Sequence, residues 1–204
     1  MATRYGLVLN GTSIQELQSG DTIIGLTSST ALQKGDGSTG LTAASAGTDY
    51  VAPGTATTFT ATQTFTGSSS TISAVFSDAA EVITVSATAA TGTINYDVTT
   101  QPVLYYTSNA SANWTVNFRG SSGTSLDNLM STGQSITVVF LVTQGATPYY
   151  NNVVQVDGNA VTPKYQGGTA WSAGNASSID SYSYTIIKTG SATFTVLAAQ
   201  VQFK

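Results

Sequence analysis

The chain has 204 residues, 41% of them apolar and only 8% charged, with a net charge of −4. Six Lys and Arg in all form no basic run, and without one to track phosphates a nucleic-acid partner is excluded. There is no cysteine and no histidine, which removes disulfides, thiolate metal sites, His-based triads and the commonest metal ligand.

An ordinary soluble domain carries about 25% charged residues. Here Ser, Thr, Gly, Ala and Asn stand in their place, side chains suited to flat β surfaces and repeating assemblies. No stretch approaches the roughly 18 apolar residues of a membrane span. The start, "MATRYGLVLNGTS", lacks the basic and apolar regions of a signal peptide. These features predict assembly in a cytoplasm, without membrane insertion.

In chain order, "RYGLVLNG" is β-prone and closes on Asn10-Gly11, a tight-turn pair. "SIQELQSGDTIIGL" reads as a second short strand region, turning at Gly20-Asp21. Residues 1–30 are too short to bury a core alone. Residues 31–75 are rich in Gly, Thr and Ala and show no helical period. In "TTFTATQTFTG", Phe59 and Phe65 lie an even number apart, on one face of any strand there. One chain cannot shield such sparse apolar points, whereas three chains wound about a common axis can, each side chain meeting its symmetry mates.

From residue 76 onward strand signals are dense. "EVITVSA", "TINYDV", "PVLYYT" and "NWTVNF" follow one another, with Ile94, Tyr96 and Val98 predicted on one face and Trp114, Val116 and Phe118 inward. "TSLDNLMSTGQ" predicts one short helix: Leu126, Leu129 and Met130 at i, i+3 and i+4, capped by Ser125 or Thr124 and ended by Gly133. "SITVVFLVT" reads as a central strand buried on both faces. "NNVVQVDGNAV" predicts a hairpin around Asp157-Gly158, and "DSYSYTIIKTGSATFTVLAAQVQF" another near Thr189-Gly190. The expected fold is all-β: a jelly-roll-like β-sandwich over 76–204, preceded by an extended, trimeric, β-rich connector.

Two stretches carry a family resemblance. "LQKGDGSTGLTAASAGTDYVAP", Leu32 to Pro53, resembles a segment of tail fibres and other virion proteins of tailed bacteriophages. "TGTINYDVTTQPVLYYTSNASANWTVNFRGSSGTSLDNLMSTGQSITVVFLVTQGATPYYNN", Thr91 to Asn152, resembles a module of structural proteins in phages of marine cyanobacteria. The resemblance implies a place in the virion and, since phage fibres are generally trimeric, a homotrimer. It implies a non-enzymatic fibre or spike, with 1–30 attaching to other virion proteins, 31–75 as stalk or connector and 76–204 as knob. The alternative is a capsid decoration, cement or head-fibre protein, and a third reading is a glycan-degrading spike.

Glycan cleavage needs two carboxylates close together, and the ten here are scattered. Asp36, Asp127 and Asp157 sit in turn or helix-start contexts, where a short carboxylate accepts backbone N–H bonds. Asp78 and Glu81, three apart, are the one pair with calcium-like spacing. No catalytic residue, metal site or cofactor is expected. The surface candidates are aromatic. Tyr149 and Tyr150 stand in a Pro-initiated loop, Trp171 in a Gly-rich one, and Tyr182 and Tyr184 share one strand face. Exposed Tyr and Trp stack on sugar rings or anchor partners, so Tyr149, Tyr150 and Trp171 are the expected contacts with a host-surface glycan.

Overall fold

The computed structural model describes residues 58–59 and 62–204, with four short strands before them: β1 (Leu7–Asn10), β2 (Ser13–Glu16), β3 (Gln33–Gly35) and β4 (Leu41–Ala43). The chain divides into two compact units, Met1–Val75 and Phe76–Lys204. In the first, β1 and β2 form an antiparallel hairpin closing at Asn10–Ser13, as the sequence predicts there. β3 and β4 form another, which the sequence reading did not anticipate: three residues each are too few for a period to show. The rest of the attachment and connector assignments, up to residue 57, lies outside the described residues.

The second unit holds β5 (Thr84–Ala89), β6 (Gly92–Asp97), β7 (Val103–Ser108), β8 (Trp114–Arg119), α1 (Leu126–Leu129), β9 (Ser135–Thr143), β10 (Asn151–Val156), β11 (Asn159–Ala160), β12 (Lys164–Tyr165), β13 (Ile179–Gly190) and β14 (Thr193–Phe203). They form two sheets, ordered β11-β10-β8-β6 and β12-β14-β13-β9-β7-β5. From β5 to β10 the chain alternates between the sheets. Each strand therefore meets its next sheet-mate in parallel: β5 with β7, β7 with β9, β6 with β8 and β8 with β10. A parallel pair needs a crossover connection, and here the crossover is a strand of the opposite sheet. This winding departs from the antiparallel Greek-key order of a jelly roll. The β13–β14 hairpin and the short β10–β11 return supply the antiparallel pairs, along with β9–β13.

Period-2 alternation sets the core. Rows run across the four-stranded sheet: Ile94–Val116–Val154 and Tyr96–Phe118–Val156 point inward, and Asn95–Asn117–Gln155 outward. Facing them are Leu104, Val138, Phe140, Val142, Tyr182, Tyr184 and Ile186 of the larger sheet, all buried. Aromatic rings join the layers edge-on or tilted: Trp114 to Phe140 and Tyr182 (centroids 6.1 and 5.5 Å), Phe118 to Tyr184 (4.9 Å). Each such ring stabilises by about 1.5–3 kcal/mol through burial, and edge-on pairing adds about 0.5–1.5 kcal/mol. The sequence-expected inward residues are inward. β9 is central but not buried on both faces: Val138, Phe140 and Val142 are buried, while Val139 and Leu141 are half-buried on the outer face.

Local signals hold at the turns. Asp157 and Gly158 both have positive φ (50° and 80°) between the paired Val156 and Asn159, the backbone of a type I′ turn. Ser125 Oγ accepts the Asn128 N–H at the start of α1. The last turn lies between Gly190 and Thr193, with Ala192 in the left-handed region at φ 47°.

Candidate functional site

The loops holding the three expected contact residues meet at one end of the sandwich. They are 144–150, between β9 and β10, and 171–178, before β13. Gln144 continues the inward parity of β9 past its end and is 3% exposed. Its amide fastens the first loop, with Nε2 donating to the Tyr149 carbonyl (2.6 Å) and Oε1 accepting the Tyr149 N–H (3.0 Å). Nε2 also donates to Oδ2 of Asp180 (3.0 Å), a fully buried carboxylate at the start of β13. Asp180 takes two further donors from the second loop: the Asn175 N–H (3.0 Å) and its Nδ2 (2.7 Å). A buried carboxylate is costly unless its lone pairs are filled. Here three donors from two loops and a longer one from Gln200 Nε2 of β14 (3.5 Å) fill them, so the charge fixes the loops to each other. Gly174 makes the contact tight: a Cβ there would stand 2.1 Å from the Tyr149 carbonyl oxygen.

Asn151 is the second joint. It is 2% exposed, at the register shift where β10 begins. Its Nδ2 donates to the Trp114 and Val153 carbonyls, its Oδ1 accepts the Tyr184 hydroxyl (3.0 Å), and its carbonyl accepts Trp171 Nε1 (2.5 Å). Burial among these rings pushes the Tyr182 and Tyr184 hydroxyls well above the usual phenol range, so both are neutral donors or acceptors.

Tyr149, Tyr150 and Trp171 therefore converge on one end, but they differ in what holds them. Trp171 is half-buried, its ring edge-on to Tyr165, Tyr182 and Tyr184 at 4.8–6.3 Å. It serves as a cover over the core rather than a free stacking face. Tyr149 also packs against the core. Tyr150 is half-buried, and its backbone is fixed on both sides: its N–H donates to Asn113 Oδ1 and its carbonyl accepts the Trp114 N–H. Tyr182 and Tyr184, considered as exposed candidates from the sequence, are fully buried, because β13 turns its even-numbered residues inward. Gln144, Asn151 and Asp180 escaped the sequence reading. Gln144 shares the even parity of Val138, Phe140 and Val142, and Asp180 that of Tyr182 and Tyr184, which was the available signal.

At the opposite end, α1 is held by charges. Asp157 accepts the N–H groups of Leu126 (2.7 Å) and Asp127 (2.9 Å). Lys188, 8% exposed, donates to the Asp127 and Met130 carbonyls and pairs with the Asp127 carboxylate at 2.7 Å. The Ala192 N–H also donates to that carboxylate. The Lys188 hydrogen bond first, and the Ala192 N–H second, hold Asp127 below the ordinary carboxylate value. These carboxylates thus serve backbone and ion-pair roles. Asp78 and Glu81, the calcium-spaced pair, are exposed, and no group of three metal-ligating side chains occurs among the described residues.

An open depression of about 380 Å³ lies on the outer side of β12–β14, lined by Lys164, Tyr165, Gln166, Ser183, Thr185 and Leu197 among others. It brings no carboxylate to its wall. The outer face of the six-stranded sheet is almost free of charge. In its six strands the charged side chains are Asp180 and Lys188, both buried, and Lys164 at the edge. No family model, curated protein or solved structure matches this chain.

Proposed function

We propose that this chain is a non-enzymatic structural protein of a bacteriophage virion, a homotrimeric fibre or spike whose knob is the two-sheet unit. One observation carries the reading. Ahead of a well-packed sandwich, Phe59, Phe65, Ile72, Val75, Phe76 and Val82 are all more than half exposed in the single chain. Residues 62–83 hold no named strand or helix to shelter them. Singly scattered surface apolars are normal, but a contiguous series marks an interaction surface. The near absence of charge agrees with copies meeting around an axis, where like charges would repel. The resemblance of Leu32–Pro53 to phage fibre segments supplies the setting.

In this reading 1–30 attaches to other virion proteins, 31–75 forms the trimeric connector, and the loop end bearing Tyr149 and Tyr150 faces the host surface, a glycan being the chemistry these neutral aromatic loops suit. Labelled antibody against residues 76–204, imaged on intact particles, tests it. Label at the tail or its fibres is the expected result. Label spread over the head would favour capsid decoration, and unlabelled particles would overturn a virion role.

A further inference from the structure

Among the described residues, the outer edge of β14 is covered only in part. β12 pairs with it in parallel for two residues, Lys164 with Leu197 and Tyr165 with Ala198. The chain then turns off the edge through Gln166–Gly168, where Gly167 and Gly168 take positive φ values of 72° and 78°, a conformation that glycine reaches without steric cost. Two adjoining depressions lie along β14 here, of about 380 Å³ and about 170 Å³. They share Tyr165, Gln166, Ala198 and Ala199 as walls, and the smaller one runs on to Trp171.

The register places the groups around the larger depression. Paired residues of neighbouring strands share a face of the sheet, so Lys164, Leu197 and Thr185 form one row and Ala199 and Ser183 the next. Leu197 and the alanines make an apolar floor. Around it stand a cation, two hydroxyls and the Gln166 amide. Thr185 is engaged with the Thr137 hydroxyl at 2.9 Å. The side chains of Lys164, Gln166 and Ser183 have no hydrogen-bond or ion-pair partner among the described residues. The other lysine of this sheet, Lys188, is buried and paired with Asp127. Lys164 is exposed, a positive charge without a counter-ion at the rim of a neutral face.

These groups select a ligand class. An ammonium group recognises an anion as a point charge. Hydroxyl and amide groups both donate and accept, as the hydroxyls of a sugar do, and an apolar floor suits the C–H face of a sugar ring. A phosphate is held by an arginine cluster or a nest of backbone N–H groups, and neither lines the depression. A lipid tail would stay in water in so open a cleft. The anion is therefore a carboxylate carried on a sugar.

We infer that the groove along β12 and β14 binds an acidic oligosaccharide, with the carboxylate of one sugar at Lys164 and the next sugar toward Trp171. The inference rests on the host-glycan part of the reading above, and it names the sugar chemistry and a place for it beyond the loop end.

The test uses the full chain. Di- and trisaccharides of galacturonate, glucuronate and sialic acid are titrated into it, each beside its methyl ester, with binding read by saturation-transfer NMR and calorimetry. The expected result is that at least one acid binds with a Kd of about 1 mM or tighter and its ester at least about tenfold more weakly. Lys164→Gln should weaken the acid about tenfold, with the melting temperature kept within about 2 °C, as for exposed positions. Lys164→Arg should keep the charge and most of the affinity, and Lys204→Gln, which removes an equal charge elsewhere, should change nothing. No binding of any acid at about 10 mM, equal binding of acids and esters, or equal losses in Lys164→Gln and Lys204→Gln overturns the site. A tetraglutamate peptide that binds as tightly as the best sugar overturns the saccharide assignment. Labelling of particles separates the failures: tail label without acid binding removes this site alone, whereas acid binding with unlabelled particles removes the virion role alone.

Discussion

Trp171 and Tyr150 lie on the same end of the sandwich, yet their substitutions should read out differently. Trp171 gives its Nε1 hydrogen to the Asn151 carbonyl and packs edge-on against three tyrosines. Trp171→Ala removes that cover from the core and should cost about 2–4 kcal/mol, in the range for large-to-small core changes. Thermal melting measures it. Tyr150→Ala removes a side chain whose anchoring is through its backbone, so melting should change by less than about 0.5 kcal/mol, as for surface substitutions, while the proposed host-contact role requires adsorption to host cells to fall. At Gly174 a methyl group collides with the Tyr149 carbonyl at 2.1 Å. Gly174→Ala should therefore cost about 2 kcal/mol or more by overpacking, with the loss seen in the melt of the two-sheet unit. Asp127 supplies a pH test. Its folded pKa is lowered from the ordinary 3.8, mainly by Lys188. A carboxyl depressed in the fold adds stability above its unfolded pKa, and that stability is lost as pH falls through the folded value. Chemical denaturation from pH 6 down to pH 2 should show a loss beginning near pH 4, and Asp127→Asn should flatten that part of the curve. The same slope in both proteins would assign the acid sensitivity to other groups.

At the scale of elements, β6 and β8 show what a sequence can and cannot specify. Ile94, Tyr96, Trp114, Val116 and Phe118 point inward as their alternation requires, because a strand's side-chain period is two and a one-residue slip would expose the set. Alternation names the face but not the neighbour. Nothing local to "TINYDV" says that it lies parallel to "NWTVNF" in one sheet while "PVLYYT" lies in the other, so a jelly-roll winding was the natural expectation. A longer-range signal was present. "TINYD" and "TVNFR" are alike at their first four positions and pair in register, Asn95 accepting from Asn117 Nδ2 at 2.9 Å. Repeats of that kind mark strands stacked in parallel. Turns were legible because their chemistry is local: Asp157-Gly158 takes the positive φ values of a type I′ turn. The contact end was less legible. Loop aromatics look alike in a sequence whether they face water or cover a core, and Asp180 is buried only because loop donors from distant positions reach it. The winding also bears on autonomy. Every named strand of both sheets lies between β5 and β14, so a fragment of residues 76–204 should fold alone and melt cooperatively with a β-sheet circular dichroism spectrum. An unfolded fragment would show that upstream residues complete the sheets within each chain.

At the scale of the molecule, the division of charge is the informative feature. The few charges of the sandwich act locally: Asp97 pairs with Arg119 at 2.6 Å, Lys188 and Asp157 hold α1, and Asp180 ties two loops. They leave a large sheet face of Val, Leu, Tyr, Ser and Thr, and an upstream segment whose large apolar side chains face solvent in the single chain. A chain arranged so is well packed in its two-sheet unit and leaves apolar side chains exposed ahead of it, as the proposed assembly role requires. Native mass spectrometry of the full chain and of residues 76–204, both at micromolar concentration, tests this most directly. The account predicts three copies for the full chain and one for the fragment. A full-length monomer, with residues 58–83 protected from protease, would contradict it.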